Sequence, residues 1–291
     1  MKILPFKSPN FNAFLVKKQK GNLIFHDFTE LDFDDRNPST IKLIKESDRK
    51  FNFKNFDWVL FNTTDHASHT DYKGLRVISY SSTTSNFENV CPDFIFDAWP
   101  NVGIHDYEEV CEKISLNGQN NPETNALGWR GCLTGPLRAN LVDLNDGINI
   151  DAQFTKWNSK ATEDPDYIDI DSPIHKVSSN YVSIPDHSKK WRYLIDMEGY
   201  GFSARLSCFM FSRRVVFIAD RSHKQWFFPL MEPWKHYIPV NREVDDLKEN
   251  LNHIKNNPDL EKSIIENAHV FANKHLTRKA CLERFNYLLN N

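Results

Sequence analysis

No stretch of this sequence approaches the roughly 18 consecutive apolar residues of a membrane span, which excludes a transmembrane helix of ordinary length. Met1 to Asn10 has no long apolar core of the signal-peptide kind, so a cytoplasmic setting is expected, with peripheral contact at the inner face of a membrane as a further option. Positive charge is not in excess: the formal net charge is −3, which argues against a general nucleic-acid binder. The five cysteines (Cys91, Cys111, Cys132, Cys208 and Cys281) are widely spaced and odd in number, and they never form C-x-x-C. Neither a zinc site nor a disulfide framework fits that pattern, and reduced, buried thiols are expected. Glycine is sparse at 10 residues, whereas phenylalanine is abundant at 22. With 291 residues, 40% of them hydrophobic, the chain is long enough for two domains of ordinary size and a sizeable core.

The most informative stretch runs from Trp191 to Val240. Tyr193, Leu194 and Ile195 read as a short buried strand, Gly199 and Gly201 as a turn, and Val215 to Ala219 as a second buried strand. Between them Phe202, Leu206, Phe209 and Met210 fall at helical spacing, so a helix is expected to begin near Phe202. Strand, glycine turn, helix and strand make a β-α-β unit. Glycines let backbone approach a ligand closely, and helix N-terminal N–H groups attract an anion. Ser203 would add a hydroxyl there, and Arg205 a guanidinium able to grip a phosphate twice. Any β-α-β turn can carry glycines and an exposed arginine, so these letters alone leave phosphate binding open.

Upstream, Asn22 to Phe28 includes a strand, and Ile41, Leu43 and Ile44 mark a helix capped by Ser39 or Thr40. Trp58 to Phe61 and Leu75 to Tyr80 read as buried strands. The polar loop between them holds Asp65, His66, His69 and Asp71, at the carboxyl end of a strand, where open α/β sheets bind ligands. The H-x-x-H letters do not match the usual zinc spacing. Asp93 lies beside the short apolar run Phe94 to Phe96, with Asp97 and Trp99 just beyond. His105 to Leu116 is helical, with Asp106, Glu108 and Glu109 enriching its start. Asn117 to Asn125 is polar and turn-rich, the candidate linker. Asp143 to Pro185 is acidic and irregular and contains Asp164-x-Asp166 and Asp169-x-Asp171. The C-terminal third is helical: Val244, Leu247, Leu251 and Ile254 share a face, Asn257 caps one helix with Pro258 at its first position, and Thr277 caps the last.

The segments Tyr193 to Asp196, Gly199 to Arg205 and Pro233 to Val240, in that order and separation, resemble glycosyltransferase family 90. That family includes capsule-associated, lipopolysaccharide-modifying and Rumi-type O-glucosyltransferases. The resemblance implies an α/β fold in which two Rossmann-like domains face a cleft, the GT-B arrangement of glycosyltransferases. It places the catalytic base on Asp93, with Asp65 and Asp97 as competitors. Leu127 to Arg138 resembles the family's aromatic-Arg-Gly strand, which makes Arg130, Thr134 and Arg138 donor contacts alongside Gly199, Tyr200, Gly201, Phe202, Ser203 and Arg205. Arg130 and Arg138 could equally be salt-bridge partners. Asp65 and Trp99 fall on the acceptor side. Where the family often has an acid before Trp226, this chain has Gln225.

The expected domains are 1–120, carrying acceptor and base, and 126–275, carrying the nucleotide, with 276–291 packing back on the first. The expected function is inverting transfer of a sugar from a UDP-sugar to a glycan or lipid-linked saccharide, with no metal or other cofactor. Two rivals stay open: a metal-dependent transferase using one of the Asp-x-Asp pairs, and a non-catalytic nucleotide- or glycan-binding protein.

Overall fold

The computed structural model describes residues 11–28, 36–65, 71–134, 136–155, 178 and 180–290. His66, His69 and the two Asp-x-Asp pairs lie outside the described residues.

The first half opens with a hairpin of β1 (Ala13–Gln19) and β2 (Asn22–Asp27), turned by Lys20 and Gly21, both at positive φ. α1 (Arg36–Phe51) leads to β3 (Phe56–Asn62), β4 (Asp71–Tyr72) and β5 (Leu75–Ser79). The sheet order is β2-β1-β3-β5-β4, and only β3 and β5 run parallel. α1 starts at Arg36, ahead of the expected caps. Ser39 and Thr40 therefore lie in its opening turns, and Thr40 Oγ1 donates to Arg36 O at 2.8 Å instead of capping. The short β6 (Ser81–Ser82) follows β5. α2 (Tyr107–Gly118) is capped by Asp106, whose carboxylate accepts the Glu109 N–H at 3.0 Å.

The second half supplies β7 (Thr124–Gly131), α3 (Pro136–Asp143), β8 (Ile150–Phe154), α4 (Ile184–Lys190), β9 (Trp191–Asp196), α5 (Leu206–Phe209), β10 (Val215–Ala219), β11 (Lys224–Gln225) and β12 (Ile238–Val240). Its five-stranded sheet is wholly parallel, in the order β12-β10-β9-β7-β8. Numbered by sequence within the sheet, that is the doubly wound order 2-1-3-4-5, whose crevice opens beyond the carboxyl ends of the first and third strands. Here those strands are β7 and β9. Every residue of β10 is buried, as a strand covered on both faces must be.

Successive residues of these strands face opposite cores. Tyr193, Ile195, Val215 and Phe217 pack with α3, with α6 (Leu247–Lys255) and with Ile264 of α7 (Pro258–His275). Leu194, Val216 and Ile218 join a larger cluster that also holds Phe14, Phe61 and Ile78 of the first sheet. α8 (Arg278–Asn290) lies along α1: Ser47 Oγ donates to Leu282 O at 2.7 Å, and Arg278 pairs with Glu46 at 2.6 Å. Thr277 Oγ1 caps α8 by accepting the Ala280 N–H at 3.2 Å. Asn257 does not cap α7 with its side chain, which instead donates to His253 O. No described helix is long and apolar enough to cross a membrane.

One glycine is fixed by packing. The Trp191 indole lies directly on Gly128 of β7, where an added Cβ would fall 1.8 Å from Trp191 Cδ2. The indole has no room to retreat, because its Nε1 donates to Asp151 at 2.9 Å and its face carries Arg130 and Lys190. Gly128→Ala is expected to lower the unfolding free energy by about 2 kcal/mol or more, read by urea denaturation.

Candidate active site

Asp196 ends β9 with its carboxylate entirely buried. Its Oδ1 accepts from Ser203 Oγ at 2.6 Å and Arg205 Nε at 3.4 Å, and its Oδ2 from Arg221 Nη1 at 2.7 Å. Arg221 also donates to the carbonyls of Asp196 and Ala219, at 2.8 and 3.1 Å, tying together the ends of β9 and β10. The Ser203 hydroxyl is thus committed to Asp196, whereas Arg205 reaches it through Nε alone. The intervening chain is a turn, and the helix expected from Phe202 is only the single turn of α5. Phe202 itself leaves the helical stripe to meet Tyr80 of the first half edge-on at 5.7 Å.

Arg138, in the first turns of α3, knits together the loops that follow β7 and β9. It donates to Cys132 O and Glu198 O at 2.8 Å each, and to Met197 O at 3.3 Å. An added Cβ at Gly199 would sit 3.2 Å from Arg138 Nη2 and 3.4 Å from Thr134 Oγ1. The Thr134 hydroxyl is buried with no hydrogen-bond partner among the described residues. Burial, then the charge of Arg205, pushes Arg138 down to about 10, and burial lowers Arg205 as well. Three guanidiniums (Arg138, Arg205, Arg221) therefore surround one carboxylate. The excess is positive, and an anion bound there would relieve it.

Arg130 is placed differently. Its guanidinium turns back along the sheet to Asp151, bonding Oδ1 at 2.7 Å and the carbonyl at 2.8 Å, and stacks over Trp191. The ion-pair alternative left open for Arg130 describes its geometry in this structure. At the crevice it offers its carbonyl, which accepts from Arg205 Nη1 at 2.5 Å. Tyr200, at the tip of the turn, is exposed.

The turn abuts the first half. A Cβ at Gly201 would fall 1.8 Å from Asp65 O, so only glycine fits this junction. Asp65 is paired with Arg36 at 3.0 Å, and the Arg36 guanidinium lies over the Phe94 ring at 5.1 Å. Trp99 meets the same ring edge-on at 5.2 Å. Asp93, the neighbour of Phe94, is 1% exposed and caps a 3-10 turn over Phe94–Phe96, its Oδ1 accepting from Ile95 N at 3.0 Å. Its Oδ2 accepts from Gln225 Nε2 at 3.1 Å. Glycine turn, Asp65, Trp99 and Asp93 are thereby linked along one interface between the halves.

The three candidate carboxylates differ in what holds them. Asp97 is ion-paired with Lys42 at 2.7 Å and Arg278 at 3.0 Å, and Asp65 with Arg36. Among the described residues Asp93 has only neutral donors. Burial pushes its carboxyl up to about 7, against the hydrogen bonds from Gln225 and Ile95 and the charge of Arg36, with Asp65 adding a smaller push upward. A buried carboxylic acid balanced near neutrality is suited to taking and giving a proton.

Sequence reasoning passed over three residues that shape this site, Arg36, Asp196 and Arg221, and met Gln225 only as a departure from the family pattern. Asp196 carried a usable signal, since a carboxylate ending a buried parallel strand must find partners. The other three act through contacts distant in sequence.

The sequence profile of glycosyl transferase family 90 matches residues 43–291. The chain is 26% identical over 217 residues to human protein O-glucosyltransferase 1, a match covering 69% of this chain and 53% of that one. It is 24% identical over 212 residues to the uncharacterized protein 035R of invertebrate iridescent virus 3, covering 70% of this chain and 18% of the relative. It thus spans about half or less of the length of these relatives. Among solved structures it is similar to a glycosyltransferase from Rickettsia africae, with TM-score 0.46, 10% identity, and coverage of 91% of this chain and 84% of that one. The profile takes in Asp93, the loop after β7, the glycine turn and the C-terminal helices, and the chain belongs to glycosyl transferase family 90.

Proposed function

We propose that this protein is an inverting glycosyltransferase that moves a sugar from a UDP-sugar to a hydroxyl of a glycan acceptor. One observation carries the reading: Asp93, a buried carboxylate with neutral donors only, lies on the same interface as a glycine turn ringed by surplus arginines. The donor diphosphate would occupy the turn from Gly199 to Arg205, with Arg138, Arg205 and the Thr134 hydroxyl as its contacts. Tyr200 and Phe202 flank it, and Arg130 supports Arg205 through its carbonyl. The acceptor hydroxyl would approach from the side of Asp65 and Trp99.

As the acceptor oxygen bonds to the anomeric carbon, its proton passes to Asp93. The bond from that carbon to the phosphate oxygen breaks on the opposite face, which inverts the configuration. Negative charge grows on the departing diphosphate and is met by guanidiniums already in place. The scheme calls on no metal. The name of the human relative makes glucose the first donor to try, and a protein hydroxyl an acceptor to test beside glycans. All five cysteines are buried and free, which fits a reducing compartment.

Three outcomes are expected. Asp93→Asn should lower UDP-sugar turnover by about 100-fold or more while leaving the calorimetric affinity for UDP nearly unchanged. Arg205→Met should weaken UDP binding by about tenfold or more, and near-native thermal unfolding would separate that loss from misfolding. The third concerns pH. With Asp93 at about 7, kcat/KM should fall about tenfold per unit as pH drops below that value, because the base becomes protonated. The same raised carboxyl contributes stability that is complete below its unfolded value of about 3.9 and lost as pH rises through about 7. Asp93→Asn should therefore gain stability relative to the parent across that window, read by thermal unfolding at successive pH values.

A further inference from the structure

The two halves touch at the carboxylate itself. β11 pairs antiparallel with β6, setting Lys224 opposite Ser82 and Gln225 opposite Ser81. Among the described residues this two-residue ladder is the one strand pairing between the halves. It fixes the backbone of Gln225, whose side chain is 1% exposed and points Nε2 at Asp93 Oδ2. The other carboxylate oxygen is held by Ile95 N–H, from the first half. Each oxygen of Asp93 thus has one donor, and each half of the molecule supplies one. Gln225 Oε1 is buried without a partner among the described residues. The side chain is therefore spent on one bond, the one to Asp93.

The residue type matters. An acid at 225 would bring two carboxyl groups within hydrogen-bond distance, and they would share a proton. An amide offers an N–H that cannot be titrated away. We propose that Gln225 is a positioning residue for Asp93: delivered by the β6–β11 ladder, its carboxamide orients the carboxylate and favours its charged form. The inference rests on the proposed role of Asp93 as base, and it adds that the second half of the chain completes that base. The other titratable groups around Asp93 are Arg36 of α1, Asp65 after β3, Tyr80 after β5, Cys91 beside it and Cys281 of α8. None of them is itself altered by a substitution at residue 225.

The test reads the carboxyl group directly. Aspartate is labelled with carbon-13 at the side-chain carboxyl, the Asp93 signal is assigned by its loss in Asp93→Asn, and its titration is followed in the parent, Gln225→Met and Gln225→Glu. Gln225→Met should move the Asp93 midpoint upward by about one pH unit or more, since a donor to the charged form is gone. Gln225→Glu should give a coupled, two-step titration with its upper step above the parent midpoint. Circular dichroism checks that each variant is folded. If Gln225→Met does not fold, the nearly isosteric Gln225→Glu gives the same reading. A midpoint that stays where it was in a folded variant overturns the proposal. The base assignment fails separately, by UDP-sugar turnover persisting in Asp93→Asn, an outcome that leaves the coupling between residues 225 and 93 measurable.

Discussion

A carboxylate with no access to water organises the working end of this molecule. Asp196 and Arg221 both have fully buried side chains, and taking two charges out of water is costly unless geometry and hydrogen bonding compensate. Here they do: Arg221 makes two bonds to Asp196 and one to Ala219, while Ser203 and Arg205 fill the remaining side of the carboxylate. The ends of β9 and β10 are thereby pinned, and the chain leaving β9 must turn where the glycines stand. The direction of Arg205 follows from that pinning. So does the junction of Gly201 with the backbone of Asp65. Removing either partner of the pair would strand the other charge inside the protein.

The molecule buries a second carboxylate on the opposite principle. Asp93 receives two neutral donors and no guanidinium, so its charge is only partly compensated. Two aspartates with similar exposure acquire different chemistry from what surrounds them. One is ion-paired with Arg221 and shapes a turn. The other is balanced between acid and base. Environments that drive apart the behaviour of like groups are how one fold obtains both a scaffold and a reactive group.

Much of the second half was legible because buried parallel strands leave a plain trace. Val215 to Ala219 and Tyr193 to Ile195 are short apolar runs that fall between turn signals, and the structure makes strands of both. Thr277 could be read as a cap because capping is local. The failures are those of long-range contact. β1 was not found because Lys17 and Lys18 cut short its apolar run, and Lys18 is buried where Asp48 and Asn52 receive its ammonium. The helical spacing at Phe202 misled because that ring belongs to a neighbour's core, beside Tyr80. Arg130 carried the right letters for a phosphate contact, yet the partner that claims its guanidinium is on the next strand. At Gln225 the sequence showed only a departure from the family pattern. Its partner lies 132 positions away.

The apolar cluster that joins the two sheets bears on how the crevice can move. Phe14, Phe61 and Ile78 from one sheet share a continuous interior with Leu194, Val216 and Ile218 from the other, and α8 lines the same space with Leu282 and Phe285. Swinging one sheet away from the other would wet that interior and forfeit the burial that stabilises both. Large hinge excursions of whole lobes are therefore disfavoured. Molecules admitted to the crevice must pass by rearrangement of the loops at its rim, and heat or denaturant should melt the two halves together in one transition.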